Sequence, residues 1–161
     1  MKRLLILRHA KSDWGDSSVD DWERALSARG VSDAPRVGAM LRARSIVPDI
    51  IITSDAVRAR ATAEAAAQAA GYSREIILEP ALYHATPEKI IGVLSALSDS
   101  AEAVLIVGHN PGLEDLLELL TGEPHEMPTA ALAQLALPID HWRDLDASCS
   151  GTVTEYWRPK G

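Results

Sequence analysis

Four short runs consist of nothing but aliphatic side chains: Leu4–Leu7, Ile50–Ile52, Ile76–Leu78 and Val104–Val107. None alternates apolar with polar residues, so neither face of such a strand can be turned to water. Runs of this kind are strands buried on both sides, the pattern of a parallel sheet. Stretches of helical periodicity separate them. Ser27 is an N-cap candidate for a helix that passes through Val31, Val37, Met40 and Leu41 and stops before Pro48. An Ala-rich helix starts near Asp55 and runs to Ala70, with Gly71 as its C′ residue. A third begins at Pro87 and carries Ile90, Ile91, Leu94 and Leu97; a fourth carries Leu113, Leu116, Leu117 and Leu120, with Asn110 as N-cap and Pro111 at the first helical position. The order strand–helix–strand–helix predicts an α/β fold with three layers: a mostly parallel central sheet with helices on both faces.

The last third reads differently. Leu132–Leu137 is expected as a strand and Ile139–Leu145 as a short helix. Thr152–Trp157, rich in β-branched and aromatic residues, is expected as a final strand, antiparallel at an edge. There is no repeat, low-complexity tract or linker, so residues 1–161 read as one domain.

Composition narrows the function. No stretch approaches the roughly 20 apolar residues of a membrane span, and the four-residue apolar run before Arg8 is too short for a signal peptide. A formal net charge of −7 argues against nucleic acid as a partner. Cys149 is the single cysteine, so no internal disulfide can form, which fits a reducing, cytoplasmic location. Arginines nevertheless concentrate between Arg36 and Arg44 and at Arg58-Ala59-Arg60, as they do where an anion is held.

Three polar segments each follow a predicted strand: Arg8-His9 after the first, Thr53 to Arg60 after the second, and Gly108-His109-Asn110-Pro111-Gly112 after the fourth. In a parallel sheet these strand ends share one edge, where open α/β sheets bind ligands. Two histidines and at least two arginines should therefore meet on one rim, next to helix N-termini that add free N–H donors. Guanidinium forks suit phosphoryl oxygens, and an imidazole can attack phosphorus.

The same segments carry a family resemblance. Arg8-His9-Ala10 resembles the Arg-His-Gly signature of the histidine phosphatase superfamily, whose fold is that of the phosphoglycerate mutases. Ser54 to Glu64 resembles its second phosphate-binding segment, and Val107 to Pro111 the segment with the second histidine. Arg24 to Gly30 and Met127 to Ala130 also look like blocks of this family, so the resemblance spans essentially the whole chain. The small size and the opening Arg8-His9-Ala10-Lys11-Ser12-Asp13-Trp14 point to the SixA-like phosphohistidine phosphatase branch. Ala10 departs from the usual Gly, which matters only if the backbone there needs positive φ.

The resemblance implies a phosphatase that works through a phosphohistidine intermediate and dephosphorylates phosphohistidine on a protein, or a small phosphorylated substrate, without membrane or nucleic acid. It implies His9 as nucleophile and Arg8, Arg58 and His109 as ligands of the phosphoryl oxygens, His109 being protonated or donating from one nitrogen. Arg24 and Arg60 are candidates for supporting roles behind them. No cofactor and no metal are expected, since the five histidines are scattered. A general acid is not singled out: Glu79 and His84 lie after the third strand, and Asp13, Asp16, Asp20 and Asp21 in the first loop, with Glu79 the candidate carried forward. A phosphorylated imidazole has a labile P–N bond and takes its proton on the ring, so a weakly defined acid favours phosphohistidine over an alkyl phosphate.

Other classes fit less well. No Gly-rich nucleotide loop is present, and Cys149 is followed six residues on by Glu155 rather than by the Arg of a cysteine phosphatase. A small-molecule phosphomonoesterase of the same superfamily and a non-catalytic phosphate-binding module remain the alternatives.

Overall fold

The computed structural model describes residues 1–14 and 18–160. Six strands form one sheet: β1 (Lys2–Arg8), β2 (Ile50–Thr53), β3 (Ile76–Leu78), β4 (Ala103–Gly108), β5 (Leu132–Leu137) and β6 (Thr152–Trp157). Their order across the sheet is β3-β2-β4-β1-β5-β6. The first four are mutually parallel, while β5 pairs antiparallel with both β1 and β6. The antiparallel pairing expected at the edge is there, but the reversed strand is β5, one position in; β6 pairs antiparallel with it and so points the same way as β1.

Helices α1 (Ala28–Ala43), α2 (Val57–Ala70), α3 (Pro87–Ser95) and α4 (Gly112–Thr121) cover the sheet. Alternation along each strand decides which pair a side chain meets. Leu4 and Ile6 of β1 and Val104 and Ile106 of β4 pack with Ile90, Leu94, Leu113 and Leu117 of α3 and α4. Leu5, Leu7, Leu105 and Val107 point the other way, toward Val37 and Leu41 of α1 and the alanines of α2. Both layers are buried, which is why the central stretches Leu4–Leu7 and Val104–Val107 carry no polar residue.

Local signals set the helix ends. The Ser27 hydroxyl accepts the Gly30 N–H at 3.1 Å, the expected cap. Thr86 caps α3 in the same way through Lys89 N–H at 3.3 Å. Gly71 closes α2 in the left-handed region at φ 75°. Helices α1 and α2 approach until backbone meets backbone: a Cβ on Gly38 would lie 2.1 Å from the Ala66 carbonyl oxygen, and the facing side chains of α2 are Ala59, Ala63, Ala66, Ala67 and Ala70.

Two expectations need correction. Asn110 does not cap α4: the helix starts at Gly112 after a cis Asn110–Pro111 peptide, and the Asn110 amide donates instead to the Met127 carbonyl at 2.9 Å. The short helix expected over Ile139–Leu145 is one 3-10 turn, Trp142–Asp144. The buried Trp142 organises that segment, its indole N–H donating to the Ala101 carbonyl at 2.8 Å.

Candidate active site

His9, Ser54 and His109 are each the first residue after a strand, β1, β2 and β4 respectively. The parallel register pairs Arg8 with Gly108 and Thr53 with Val107, so the three residues emerge side by side. The ladder continues one step past the strands: His9 N–H donates to the Gly108 carbonyl at 3.2 Å, and Ser54 N–H to that of Val107 at 3.0 Å. Because β5 is reversed, its start lies at the same edge, and Ala130 N–H reaches the carbonyls of Arg8 and His9. A cleft of about 400 Å³ opens there, with Arg8, His9, Arg24, Arg58, His109 and Thr129 among its walls.

His9 is 6% exposed. Its Nδ1 lies 2.7 Å from the Ala10 carbonyl oxygen. A carbonyl only accepts, so Nδ1 carries the proton and the Nε2 lone pair is left free. Burial, reinforced by Arg58, Arg8 and Arg24, outweighs that hydrogen bond and pushes the imidazole pKa down to about 4. His9 is thus neutral at pH 7, the state in which an imidazole is nucleophilic. Ala10, fully buried, has no positive φ, so the replacement of the usual Gly brings no backbone conflict. Its N–H donates to Thr62 Oγ1, and that hydroxyl donates to the Arg58 carbonyl at 2.7 Å, tying the loop after His9 to α2.

His109 is held as firmly. An Arg58 N–H donates to its Nδ1 at 3.3 Å, which makes Nδ1 an acceptor and places the ring proton on Nε2, 2.8 Å from Ser54 Oγ. Burial first, then the neighbouring His9 and Arg58, lowers its pKa to about 3. The protonated His109 considered from the sequence is therefore not the resting form: the ring is neutral and its one N–H is directed to Ser54. The two imidazole centroids are 5.2 Å apart.

Three guanidiniums line the cleft. Arg58, in the first turn of α2, is 2% exposed. Arg8 donates to the Met127 carbonyl at 3.1 Å, and burial above all lowers its pKa. Arg24 stacks on the Trp14 ring with 3.5 Å to the centroid. The Nε–H groups of all three are buried and have no hydrogen-bond partner among the described residues. Unpaired buried donors are rare, and the three guanidiniums that carry them line one cleft, a positively charged setting for an oxyanion.

One carboxylate ties this cradle together, and its importance could not be read from the sequence. Asp21 accepts from Arg24 at 3.0 Å, Arg58 at 3.0 Å and Tyr83 Oη at 2.6 Å, and lies 3.3 Å from His84 Nε2. Its backbone carbonyl takes a second Arg58 N–H at 2.6 Å. Partial burial works against the anion, but the hydrogen bonds from Tyr83, Arg24 and Arg58 prevail and hold the carboxyl well below the usual range. Asp21 is therefore an anion at neutral pH and no general acid.

The other acid candidates fare no better. The Glu79 carboxylate accepts the Ala81 N–H at 3.3 Å, capping a 3-10 turn, and is not among the walls of the cleft. The Asp20 side chain is exposed, Asp13 N–H is engaged with the Ala25 carbonyl, and Asp16 falls outside the described residues. Arg60 also leaves the site: it points to solvent and pairs with Glu64 at 2.9 Å, one turn along the exposed face of α2. Arg24, by contrast, forms part of the cleft wall itself. Cys149 is far along the chain in a half-buried position where burial raises its thiol pKa.

Ser54, Thr62 and Tyr83, which complete the network, were not singled out from the sequence. Ser54 alone had a signal, since it occupies after β2 the position that His9 and His109 occupy after β1 and β4. No helix among the described residues is long and apolar enough to cross a membrane.

The chain resembles several known proteins over nearly all its length. A protein of Mycobacterium tuberculosis with no described activity is 31% identical over 158 residues, 91% of this chain and 96% of its own. A solved structure from Agrobacterium tumefaciens, provisionally named phosphohistidine phosphatase SixA, is 28% identical and superposes with a TM-score of 0.84, covering 98% of each chain. The protein histidine phosphatase SixA in complex with tungstate is 22% identical and shares the fold, with a TM-score of 0.81 over 96% of this chain and 95% of its own. The profile of the histidine phosphatase superfamily (branch 1) matches residues 4–85, the stretch holding Arg8, His9, Arg24 and Arg58, and with an α/β fold that sets these beside His109 at one sheet edge, the chain belongs to that superfamily.

Proposed function

We propose that this member of a phosphatase superfamily hydrolyses phosphohistidine on a protein, with His9 as the nucleophile. The observation that carries the reading is the His9 tautomer: Nδ1–H is committed to the Ala10 carbonyl, so the nitrogen left to react is Nε2, in a cleft walled by three guanidiniums. His9 Nε2 attacks phosphorus, a P–N bond forms, and the bond from phosphorus to the substrate imidazole breaks. The departing ring nitrogen takes a proton from water. Water then attacks the phosphoenzyme, the P–N bond breaks, and orthophosphate leaves with His9 neutral again. Arg8 and Arg58 hold the oxygens through the transition state, where preorganised donors act most strongly. His109 joins them once the phosphoryl dianion lies beside it, because a nearby anion raises an imidazole pKa; the proton gained on Nδ1 replaces the Arg58 hydrogen bond there and turns that nitrogen into a donor.

Among the described residues no carboxyl group lines the cleft, and Asp21 beside it is held as the anion, which supports a labile phosphoramidate over an alkyl ester. The test compares a phosphohistidine phosphocarrier domain, p-nitrophenyl phosphate and phosphoserine, with trapping of the intermediate. Fast turnover of the first two, slow turnover of the third and an acid-labile, base-stable phosphoenzyme are expected. Turnover of phosphoserine as fast as of the aryl ester, or no phosphoenzyme, overturns the reading.

A further inference from the structure

A second cleft of about 260 Å³ adjoins the first and shares Lys11 and Thr129 with it; Arg29, Asp33 and Arg158 are among its other walls. Its charge is opposite to that of the chain as a whole. The one carboxylate, Asp33, is 4% exposed and is already bound on both oxygens, to Arg29 at 3.1 Å and Arg36 at 3.0 Å. Lys11 and Arg158 are exposed, and their side chains have no ion-pair partner among the described residues. The groove is therefore net positive in a chain of net charge −7. On another part of the surface a cleft walled by Glu114, Asp115, Glu118 and Glu126 has the opposite sign. Such asymmetry steers and orients an approaching partner.

Resting on the proposed phosphatase reading, we infer that the groove of Lys11, Arg29 and Arg158 docks carboxylate side chains beside the phosphorylated residue of a protein substrate. The two clefts share Lys11 and Thr129 as common walls, so a ligand that fills both extends beyond a phosphoryl group bound at His9. The Lys11 ammonium and the Arg158 guanidinium, with no ion-pair partner among the described residues, are the donors such carboxylates would meet, and little bonding among those residues is lost when they turn to a ligand. Trp14, 75% exposed at the mouth of the first cleft, offers the aromatic surface that protein interfaces favour.

Arg158 is exposed and has no ion-pair partner among the described residues, so Arg158→Glu should fold normally. Phosphotyrosyl peptides with Glu or with Lys around the phosphate provide a substrate pair whose leaving group needs no acid. Wild-type kcat/KM should favour the Glu peptide and fall as salt is raised. Arg158→Glu should lower kcat/KM on the Glu peptide about tenfold, raise it on the Lys peptide and leave p-nitrophenyl phosphate within twofold. Arg158→Ala should fall between. The same loss on a phosphohistidine protein, with the small aryl ester spared, is expected. An unchanged peptide preference in Arg158→Glu, or an equal loss on the aryl ester, overturns the docking surface. A wild-type enzyme inert toward phosphohistidine protein but selective for the Glu peptide would overturn the substrate reading and leave the docking surface standing.

Discussion

The floor and the wall of the cleft are built by different means. The floor, His9, Ser54 and His109, continues three parallel strands, and its backbone is fixed by the sheet's own ladder. One wall comes from residues 12–14 and 18–24; among the described residues it is held by the Ser12–Leu26 bridge, by the backbone of Asp13 and Asp21, and by side chains: Arg24 to Ser12, Arg24 to Asp21, and Asp21 to Arg58 and Tyr83. A floor of this kind places a nucleophile whatever the neighbouring side chains are. A wall of this kind stands only while its charges do. Under the proposed function the floor governs whether chemistry occurs, and the wall how well the phosphoryl group is held.

Substitutions can break that contrast. His9→Ala should reduce kcat by several orders of magnitude and leave the melting temperature nearly unchanged, because the backbone of the floor does not depend on the ring. Turnover near wild type would end the proposed mechanism. Arg58→Ala, which removes the link from wall to floor, should lower kcat about 10²–10³-fold and weaken vanadate binding, read by inhibition. Asp21→Ala should leave the trapped phosphoenzyme on His9 detectable while slowing turnover about ten- to a hundredfold, since the guanidiniums lose their common anchor. If Asp21→Ala were as damaging as His9→Ala, the wall would be no mere support.

Acid should expose the floor as a stability element. Both imidazoles have folded pKa values, about 4 and about 3, below the roughly 6.5 of an unfolded chain. The unfolded state then binds protons first as pH falls, so stability is complete above about pH 6.5 and declines down to about pH 3. Melting temperature measured from pH 7 to pH 4.5 should drop by roughly 5–10 °C, and the slope should be shallower in His109→Gln. The Asp21 contribution has the depressed-carboxylate sign and fades only below about pH 4, so the two regions separate on the pH axis. The smallest effects belong to residues outside both: Arg60→Ala and Glu79→Gln should change aryl phosphate turnover by no more than about twofold, and Arg60→Ala should shift stability by less than about 1 kcal/mol.

The same division marks what could be read in the sequence. The strands of the floor announce themselves because burial on both faces leaves only aliphatic residues, and the ligand edge follows from parallel order. The wall has no such periodicity. Asp21 is one of several acidic residues in its loop, and only its tertiary partners distinguish it. Arg60, a candidate for a supporting role, is two residues from Arg58, and on a helix that spacing turns a side chain about 200° away. Asn110 was misread because Asn-Pro is also a common helix opening, while the amide here is taken by the Met127 carbonyl. The reversal of β5 left no mark in sequence, since a strand buried on both faces reads the same in either direction.

The contact of α1 with α2 at Gly38 bears on precision at the phosphate. Alanine has no rotamers, and a helix that meets its neighbour through alanines and a glycine has no side chains that can repack to let it slide. Motion of α2 against α1 must then be rigid-body motion against backbone atoms, which are far stiffer than a leucine interface. Arg58 stands at the sheet-edge end of that helix, so its guanidinium inherits a fixed origin and moves only through its own dihedrals. A methyl group at position 38 would act as a wedge, tilting the helix and carrying the arginine with it, a change of aim in a site where every reacting group is untouched.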